Sequence, residues 1–165
     1  MRYLWIFITA LFLSGTAFAQ ADINAKFNLD TQPIWGPTGY DYVDYYYLPD
    51  IETYYNVEKN RYYYYEDGHW LYQSTLPQRF ATYNIYNSYK VVVNEPRPWQ
   101  NHKVNKEKYY SYRDRHDQKP IRDSRDSKYF KNKNHPEHSN WVKQNEHDNG
   151  NHNSNKQKKS KKNKK

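Results

Sequence analysis

Aromatic residues recur at a regular spacing in the middle of the chain. Tyrosine clusters begin at Tyr45, Tyr54 and Tyr62, and a fourth aromatic group begins at Trp70, so one cluster follows another every eight or nine residues. One strand together with its tight turn takes about eight to twelve residues. The spacing therefore predicts a mainly β fold, built as a small antiparallel meander rich in Tyr and Trp.

Two turn signals set the register of the predicted strands. Asp67-Gly68 is typical of a two-residue type I′ hairpin turn, because glycine accepts the positive φ that this turn requires. This turn pairs Tyr65 with Trp70. Lys59-Asn60 is the candidate for the preceding turn, and it would place Tyr54 opposite Tyr65.

Consecutive tyrosines place rings on both faces of the predicted sheet, because alternate side chains on a strand point in opposite directions. We expect the core on the face with the aliphatic residues, which have no polar tip to satisfy. That face carries Tyr55, Val57, Tyr62, Tyr64 and Leu71. The opposite face is the candidate ligand-binding face, and it carries Tyr54, Tyr63, Tyr65, Trp70 and Tyr72. A register slip of one residue would exchange the two sets.

Further elements flank the meander. Residues 42–47 are predicted to add an N-terminal strand, and the β-branched run that ends residues 89–93 predicts another strand. The prolines of residues 96–98 cannot continue a ladder, since each removes a hydrogen-bond donor. We expect this segment to place Trp99 on the sheet, and Trp35 to do the same from the other end of the domain.

The first 19 residues have the features of a secretory signal peptide. Met1-Arg2 is a short positive region, residues 4–12 are apolar except for Thr9, and Ala17-Phe18-Ala19 is a small-x-small cleavage site. The apolar run is too short to cross about 30 Å of hydrocarbon comfortably. We therefore expect an exported protein, located in the periplasm, outside the cell or at the outer membrane.

Charge divides the rest of the chain into two parts. Residues 20–105 contain 10 acidic and 7 basic residues, whereas residues 106–165 contain 8 acidic and 18 basic residues. The second part has almost no aliphatic residues, so its composition predicts a disordered, basic C-terminal tail. Seven lysines near its end are the candidate polyanion-binding residues: Lys156, Lys158, Lys159, Lys161, Lys162, Lys164 and Lys165.

These patterns divide the chain into four predicted parts. They are a signal-peptide helix at residues 1–19, a flexible N-terminal segment at residues 20–32, a Tyr-rich β domain at residues 33–103 and a disordered basic tail at residues 104–165. The β domain is small and lacks cysteine. Large aromatic side chains, each of which buries about 150–250 Å², would replace disulfides as its source of stability.

The aromatic and proline motifs resemble those of small secreted tyrosine-rich proteins of Gram-negative bacteria, a group without an established function. The resemblance covers about residues 40–102. It depends on the Tyr45-Tyr46-Tyr47-x-Pro49 run, Tyr54-Tyr55, Tyr62 to Tyr65, Asp67-Gly68-x-Trp70, Leu76-Pro77 and the segment from Tyr89 to Trp99. It implies export and a compact tyrosine-rich β module, and it supplies no catalytic residue.

Nothing in the sequence indicates an enzyme, a cofactor or a metal centre. The chain has no nucleophile elbow, no phosphate-binding loop and no His-Glu-x-x-His motif. Its carboxylates near the predicted strands fall at turns, where acids are usually solvated. Six of the seven histidines lie from His102 onward, without a closed set of four ligands. We therefore expect no catalytic residue, no cofactor and no bound metal.

Two functions fit this pattern. The first is a non-enzymatic protein of the cell envelope whose lysine-rich tail binds anionic partners, namely lipopolysaccharide, acidic glycans or a membrane surface. The alternative is a module that binds glycans or peptides on the exposed aromatic face. A free sheet edge also offers a site for self-association. Nucleic acid is not expected as a partner, because export separates the protein from it. The tail could also serve only as a solubilising extension.

Overall fold

A five-stranded antiparallel sheet forms the centre of the protein in a computed structural model, which describes residues 26–145. The strands are β1 (Tyr45–Leu48), β2 (Thr53–Asn56), β3 (Arg61–Glu66), β4 (His69–Gln73) and β5 (Val91–Val93). Their order is β4-β3-β2-β1-β5, so the first four strands form a meander and β5 adds beside β1. The predicted mainly β fold is confirmed.

The hairpin between β3 and β4 has the predicted register. Asp67 and Gly68 both adopt positive φ, and Tyr65 lies opposite Trp70. The preceding loop is longer than the predicted Lys59-Asn60 turn, because it spans residues 57–60 and places Tyr54 opposite Tyr63 rather than Tyr65. The difference is two residues, and the side-chain period of a strand is also two. Each tyrosine therefore stays on its predicted face.

The first face of the sheet is a core, as predicted. It contains Tyr46, Leu48, Tyr55, Val57 and Tyr62, and it is covered by Trp35 and by the connection between β4 and β5. The Trp35 ring packs edge-on against Tyr46 and Tyr55, with centroids 5.3 and 4.9 Å away. Leu71 of the predicted core set is 41% exposed, because it lies on the edge strand beyond the cover.

The second face is also a core, contrary to the expectation of an open face. Its buried residues are Tyr45, Tyr47, Tyr54, Tyr63 and Val93. The cover is the chain after β5, which includes the short helix α1 (His102–Lys108). As expected, Trp99 lies on the sheet; its ring stacks on Tyr63 with centroids 4.1 Å apart and planes 9° apart. The Tyr109 ring lies 5.9 Å from the Tyr47 ring.

The connection between β4 and β5 is held by a buried lysine. The Lys90 ammonium donates to three backbone carbonyls, those of Ser88 at 2.6 Å, Ile85 at 2.9 Å and Tyr86 at 3.5 Å. Burial lowers the pKa of Lys90 to about 8. The three carbonyls match the three N–H groups of an ammonium ion. Lys90 thus holds residues 85–88 in a fixed conformation just before β5 begins.

Folded structure continues past the boundary that we predicted at residue 103. The segment around Pro120 runs antiparallel to the segment around Pro37, and Ile121 N–H donates to Gly36 O at 2.8 Å. The Tyr129 hydroxyl accepts from Gly39 N–H at 2.7 Å, and both Ile121 and Tyr129 are buried. We assigned residues 104–145 to a disordered tail. They are instead attached to the N-terminal part of the domain by a few buried side chains and by hydrogen bonds.

The predicted flexible segment at residues 20–32 also differs in its described part. Gln32 is buried and accepts the Tyr46 hydroxyl at 2.9 Å, while its amide donates to Asn28 and Tyr40. Asn132 Nδ2 donates to Gln32 O at 2.6 Å, so this segment is fastened to the C-terminal half. A Cβ at Gly36 would lie 2.6 Å from the Tyr46 hydroxyl, which explains glycine at this close approach.

Residues 138–145 are helical, and the described chain also contains short helical turns. They span Pro49–Ile51, Gln78–Phe80, Pro98–Asn101, Tyr110–Tyr112, Ile121–Asp123 and Ser127–Lys131. None of the helices in residues 26–145 has the length and apolar character needed to cross a membrane. The predicted signal peptide, residues 20–25 and the seven lysines from Lys156 to Lys165 lie outside the described residues.

Candidate functional site

The predicted ligand-binding face is only partly open. Tyr54 and Tyr63 are buried beneath the residues that follow β5, so they cannot form part of an exposed platform. Trp70 is half-buried against the same core. Tyr65 and Tyr72 remain 52% and 59% exposed. The sequence correctly placed all five rings on one face, but it did not show that a later segment covers two of them.

A cleft lies beside Tyr65, at the end of the sheet where β1 turns into β2. Its volume is about 540 Å³. Three chain segments meet around it: the turn at residues 50–52, the turn at Gln78–Phe80 and the start of α1. The lining residues are Asp50, Ile51, Glu52, Tyr65, Arg79, Phe80, His102, Lys103 and Lys106.

Glu52 is the central acid of this cleft. It follows the Pro49–Ile51 turn in a left-handed conformation, with φ of 51°. Its carboxylate lies 2.7 Å from the Lys106 ammonium, 3.5 Å from His102 Nε2 and 3.8 Å from the Arg113 guanidinium. Burial acts to raise the pKa of Glu52, but Lys106 and His102 outweigh that effect and hold the pKa below its ordinary value. Glu52 is therefore an ionised anchor for α1.

His102 connects Glu52 to the second core through a chain of hydrogen bonds. Asn105 Nδ2 donates to the Tyr54 hydroxyl at 3.2 Å, and that hydroxyl lies 3.2 Å from His102 Nδ1. Burial raises the pKa of Tyr54 to about 12, so the hydroxyl stays protonated at neutral pH and donates a hydrogen bond to Nδ1. The proton on His102 then sits on Nε2, which faces Glu52. Burial lowers the pKa of His102 despite the attraction of Glu52. At neutral pH the ring is thus a neutral donor rather than a cation.

The outer part of the cleft is basic and aromatic. Arg79 pairs with Glu66 and donates to the backbone carbonyl of Tyr65 at 3.1 Å, and its guanidinium lies over the Tyr64 and Phe80 rings. Lys103 is exposed and forms no ion pair with any described residue. Rings of this kind stack on sugars, and ammonium groups attract carboxylates or phosphates. The outer cleft therefore suits a ligand that carries both a flat apolar surface and an anionic group.

The inner cleft offers no free acid and base pair. Glu52 is held ionised by Lys106, and both ring nitrogens of His102 already have partners. Within residues 26–145, no group of three or more His, Asp or Glu side chains could hold a metal ion. These side chains therefore position the covering segment.

Sequence reasoning missed this cleft for a definable reason. It placed Glu52 near a predicted turn, but the cationic partners Lys106 and Arg113 come more than 50 residues later, in a part of the chain that we assigned to a disordered tail. The only sequence signal for their contribution was the tryptophan at position 99. It predicted that the chain returns to the sheet just before α1.

We predict that acidification destabilises the protein through His102. The folded state lowers the pKa of this ring below its ordinary value of 6.5, so the unfolded chain binds the proton more tightly. The contribution of His102 to stability is then present above pH 6.5 and is lost as the pH falls through the lower pKa. His102→Gln keeps an acceptor and a donor without a titrating charge. Its melting temperature should fall less than that of the unmodified protein between pH 7.5 and pH 5.

Because both proteins contain the same other titrating groups, the difference between their melting temperatures isolates the contribution of His102. Parallel pH profiles would show that His102 does not titrate with folding. A profile in which the unmodified protein gains stability relative to His102→Gln on acidification would show that the attraction of Glu52 outweighs burial. The pKa of His102 would then be raised by folding rather than lowered, and the prediction would be wrong.

Comparisons with known proteins do not assign the chain to a family. No family model, no curated protein and no solved structure matches it. Its function must therefore be inferred from the geometry and charge of its own residues.

Proposed function

We propose that the protein is an exported, non-enzymatic component of the cell envelope that binds polyanionic surfaces through its lysine-rich tail. The partners in this proposal are lipopolysaccharide phosphates, acidic glycans or an anionic membrane surface. Export is inferred from the signal-peptide pattern of residues 1–19, and it places the protein in the periplasm, outside the cell or at the outer membrane.

The supporting observation is the basic surface of residues 102–145, which leads toward the tail. This segment contains 12 basic and 6 acidic residues. Seven of the basic side chains are exposed and form no ion pair with a described residue: Lys103, Lys108, Lys119, Arg125, Lys131, Lys133 and Lys143. The tail lysines are therefore continuous in sequence with an already cationic surface.

The charge asymmetry of the chain favours one orientation on a polyanion. Residues 20–105 are slightly acidic, and residues 106–165 are strongly basic. A lysine near an anionic membrane contributes about 1 kcal/mol, and the attraction decays over about 10 Å at 0.1 M salt. Residues 106–165 should thus contact the polyanion, while the slightly acidic part of the chain, residues 20–105, faces away. Binding of this kind is sensitive to salt.

The first test removes the tail charge without removing the tail. Replacing all seven lysines from Lys156 to Lys165 with glutamine should leave the melting temperature unchanged, because every residue of the two buried clusters of the sheet is kept. Retention on anionic vesicles and on heparin at about 0.1 M salt should fall strongly, since seven attractive charges are lost. The measurement is the salt concentration that elutes each protein.

The matched control replaces the same seven lysines with arginine, which keeps the charge and should keep the retention. Equal elution of the glutamine and arginine variants would contradict the proposal and would leave the tail as a solubilising extension. Loss of retention in both variants would also contradict it, because simple charge attraction does not distinguish lysine from arginine in this way.

The outer cleft supports a second candidate function, recognition of an acidic glycan. The specific observation is the joint exposure of the Tyr65 ring and the Lys103 ammonium on the walls of one concave site that Phe80 also lines. A sugar ring can stack on Tyr65 while its carboxylate or phosphate meets Lys103. This proposal retains the predicted glycan-binding role but moves it from the buried part of the aromatic face to the cleft.

We expect Lys103→Gln to weaken binding of a uronic acid oligosaccharide by several fold, because the anionic group loses its cation. Isothermal titration calorimetry should be performed in the variant with seven glutamines, so that the tail makes no contribution. Lys143→Gln is the matched control, since Lys143 is also exposed and unpaired with described residues but does not line the cleft. Equal effects of the two substitutions would exclude the cleft as the binding site. Tighter binding of a proline-rich peptide than of the glycan would contradict glycan recognition.

A further inference from the structure

The two edges of the sheet differ in whether their outward backbone groups have hydrogen-bond partners. At Lys90, the residue just before β5, the Gln118 side chain acts as a substitute for a neighbouring strand. It accepts from Lys90 N–H at 2.7 Å and donates to Lys90 O at 2.9 Å. This side-chain cap satisfies backbone groups that would otherwise be offered to another strand.

The opposite edge, β4, has no comparable cap within residues 26–145. Glu66 and His69 flank the two-residue turn of the β3 to β4 hairpin and form a hydrogen-bonded pair. From there along the hairpin, non-hydrogen-bonded and hydrogen-bonded pairs alternate. His69, Leu71 and Gln73 therefore direct their backbone groups toward β3, and Trp70 and Tyr72 direct theirs outward. None of the hydrogen bonds found in the described part of the chain uses these outward groups.

The side chains of β4 also lack the features that normally protect an edge. The strand His69–Gln73 contains no Lys, Arg, Asp, Glu or Pro. Leu71 is 41% exposed and Tyr72 is 59% exposed, although both lie in the middle of a hairpin with a continuous register. Charged residues, prolines and bulges are the usual means by which proteins prevent edge pairing. Their absence from this strand indicates an edge that is available for pairing.

We propose that two copies of the protein pair through their β4 strands, antiparallel and with a two-fold axis at Leu71. In this register, Trp70 of each copy lies opposite Tyr72 of the other, and their outward N–H and C=O groups form four hydrogen bonds. The result is one continuous ten-stranded sheet. No other occupant is needed, because the strand is complementary to itself.

Side chains on both faces support the same register. On one face, each exposed Tyr72 ring meets the Trp70 ring of the second copy, a favourable cross-strand pair. The Arg61 guanidinium lies 5.0 Å from the Tyr72 centroid, so it also approaches the second copy. The antiparallel arrangement brings the end that carries Arg61 toward the hairpin tip with Glu66 and Asp67 of the other copy. On the opposite face, the two Leu71 side chains cover each other.

The pairing also predicts one specific cross-link. Leu71 and its symmetry mate form a non-hydrogen-bonded antiparallel pair, for which the Cα separation is about 4.5 Å. Disulfides form at Cα separations of about 4.4–6.8 Å. The chain contains no cysteine, so a single introduced thiol can react only with a second copy.

The test uses the full chain with Leu71→Cys, and Val104→Cys on α1 as the matched control. Val104 is 62% exposed and belongs to α1 rather than to β4. Under mild oxidation Leu71→Cys should become a covalent dimer in high yield, at a rate at least ten times that of Val104→Cys. Equal rates would overturn the proposal, because they would reflect random collision.

Sedimentation velocity on the unmodified protein provides an independent measurement. A monomer–dimer equilibrium should appear at micromolar concentrations, and Leu71→Lys should shift it toward monomer by at least ten fold, because it places two like charges at the axis. Tyr72→Pro removes one outward N–H from each copy and should have the same effect; it decides the outcome if Leu71→Lys does not fold. Association that persists in both folded variants, or a monomer at every concentration, would overturn the proposal.

Discussion

Consecutive tyrosines on a strand are the constraint on which the rest of this structure depends. Because alternate residues face opposite sides, every run of tyrosines loads both faces of the sheet with rings that must be covered. The first face is covered by Trp35 and the connection before β5, and the second by Trp99 and α1. The hydroxyls require partners as well. Gln32 accepts from Tyr46, and Tyr54 is linked to both His102 and Asn105.

The same requirement places the candidate binding residues. A chain that must return over the second face brings α1 to the turn that carries Glu52, and the cations of that helix then line the cleft. Lys106 neutralises Glu52 and fixes the helix, which leaves Lys103 and Tyr65 for a ligand. The basic side chains that follow are held on the outside of this cover. In our proposals, binding is therefore a property of the covering layer, whereas the sheet supplies the rigid support and a free edge.

The sequence predicted local features better than distant contacts. Asp67-Gly68 gave the register of the β3 to β4 hairpin, since a two-residue turn permits only one pairing. Lys59-Asn60 gave a register that was two residues away, but the faces were preserved because the shift was even. The burial of Tyr54 and Tyr63 could not be predicted in the same way. Their cover comes from residues 98–112, where few aliphatic residues mark a core. Likewise, Tyr129 and Asn132 are buried and anchor a polar segment through a few hydrogen bonds, which composition alone does not show.

A double-mutant cycle between Tyr63 and Trp99 tests most directly whether the chain after β5 closes the second face. Tyr63→Leu and Trp99→Leu each keep an apolar side chain, and the free energy of unfolding is measured for both single variants and for the double variant. The stacked rings, with centroids 4.1 Å apart, should give a coupling energy of about 0.5–1.5 kcal/mol. Additive effects would contradict closure of the second face, because they would mean that Trp99 does not cover Tyr63 in solution.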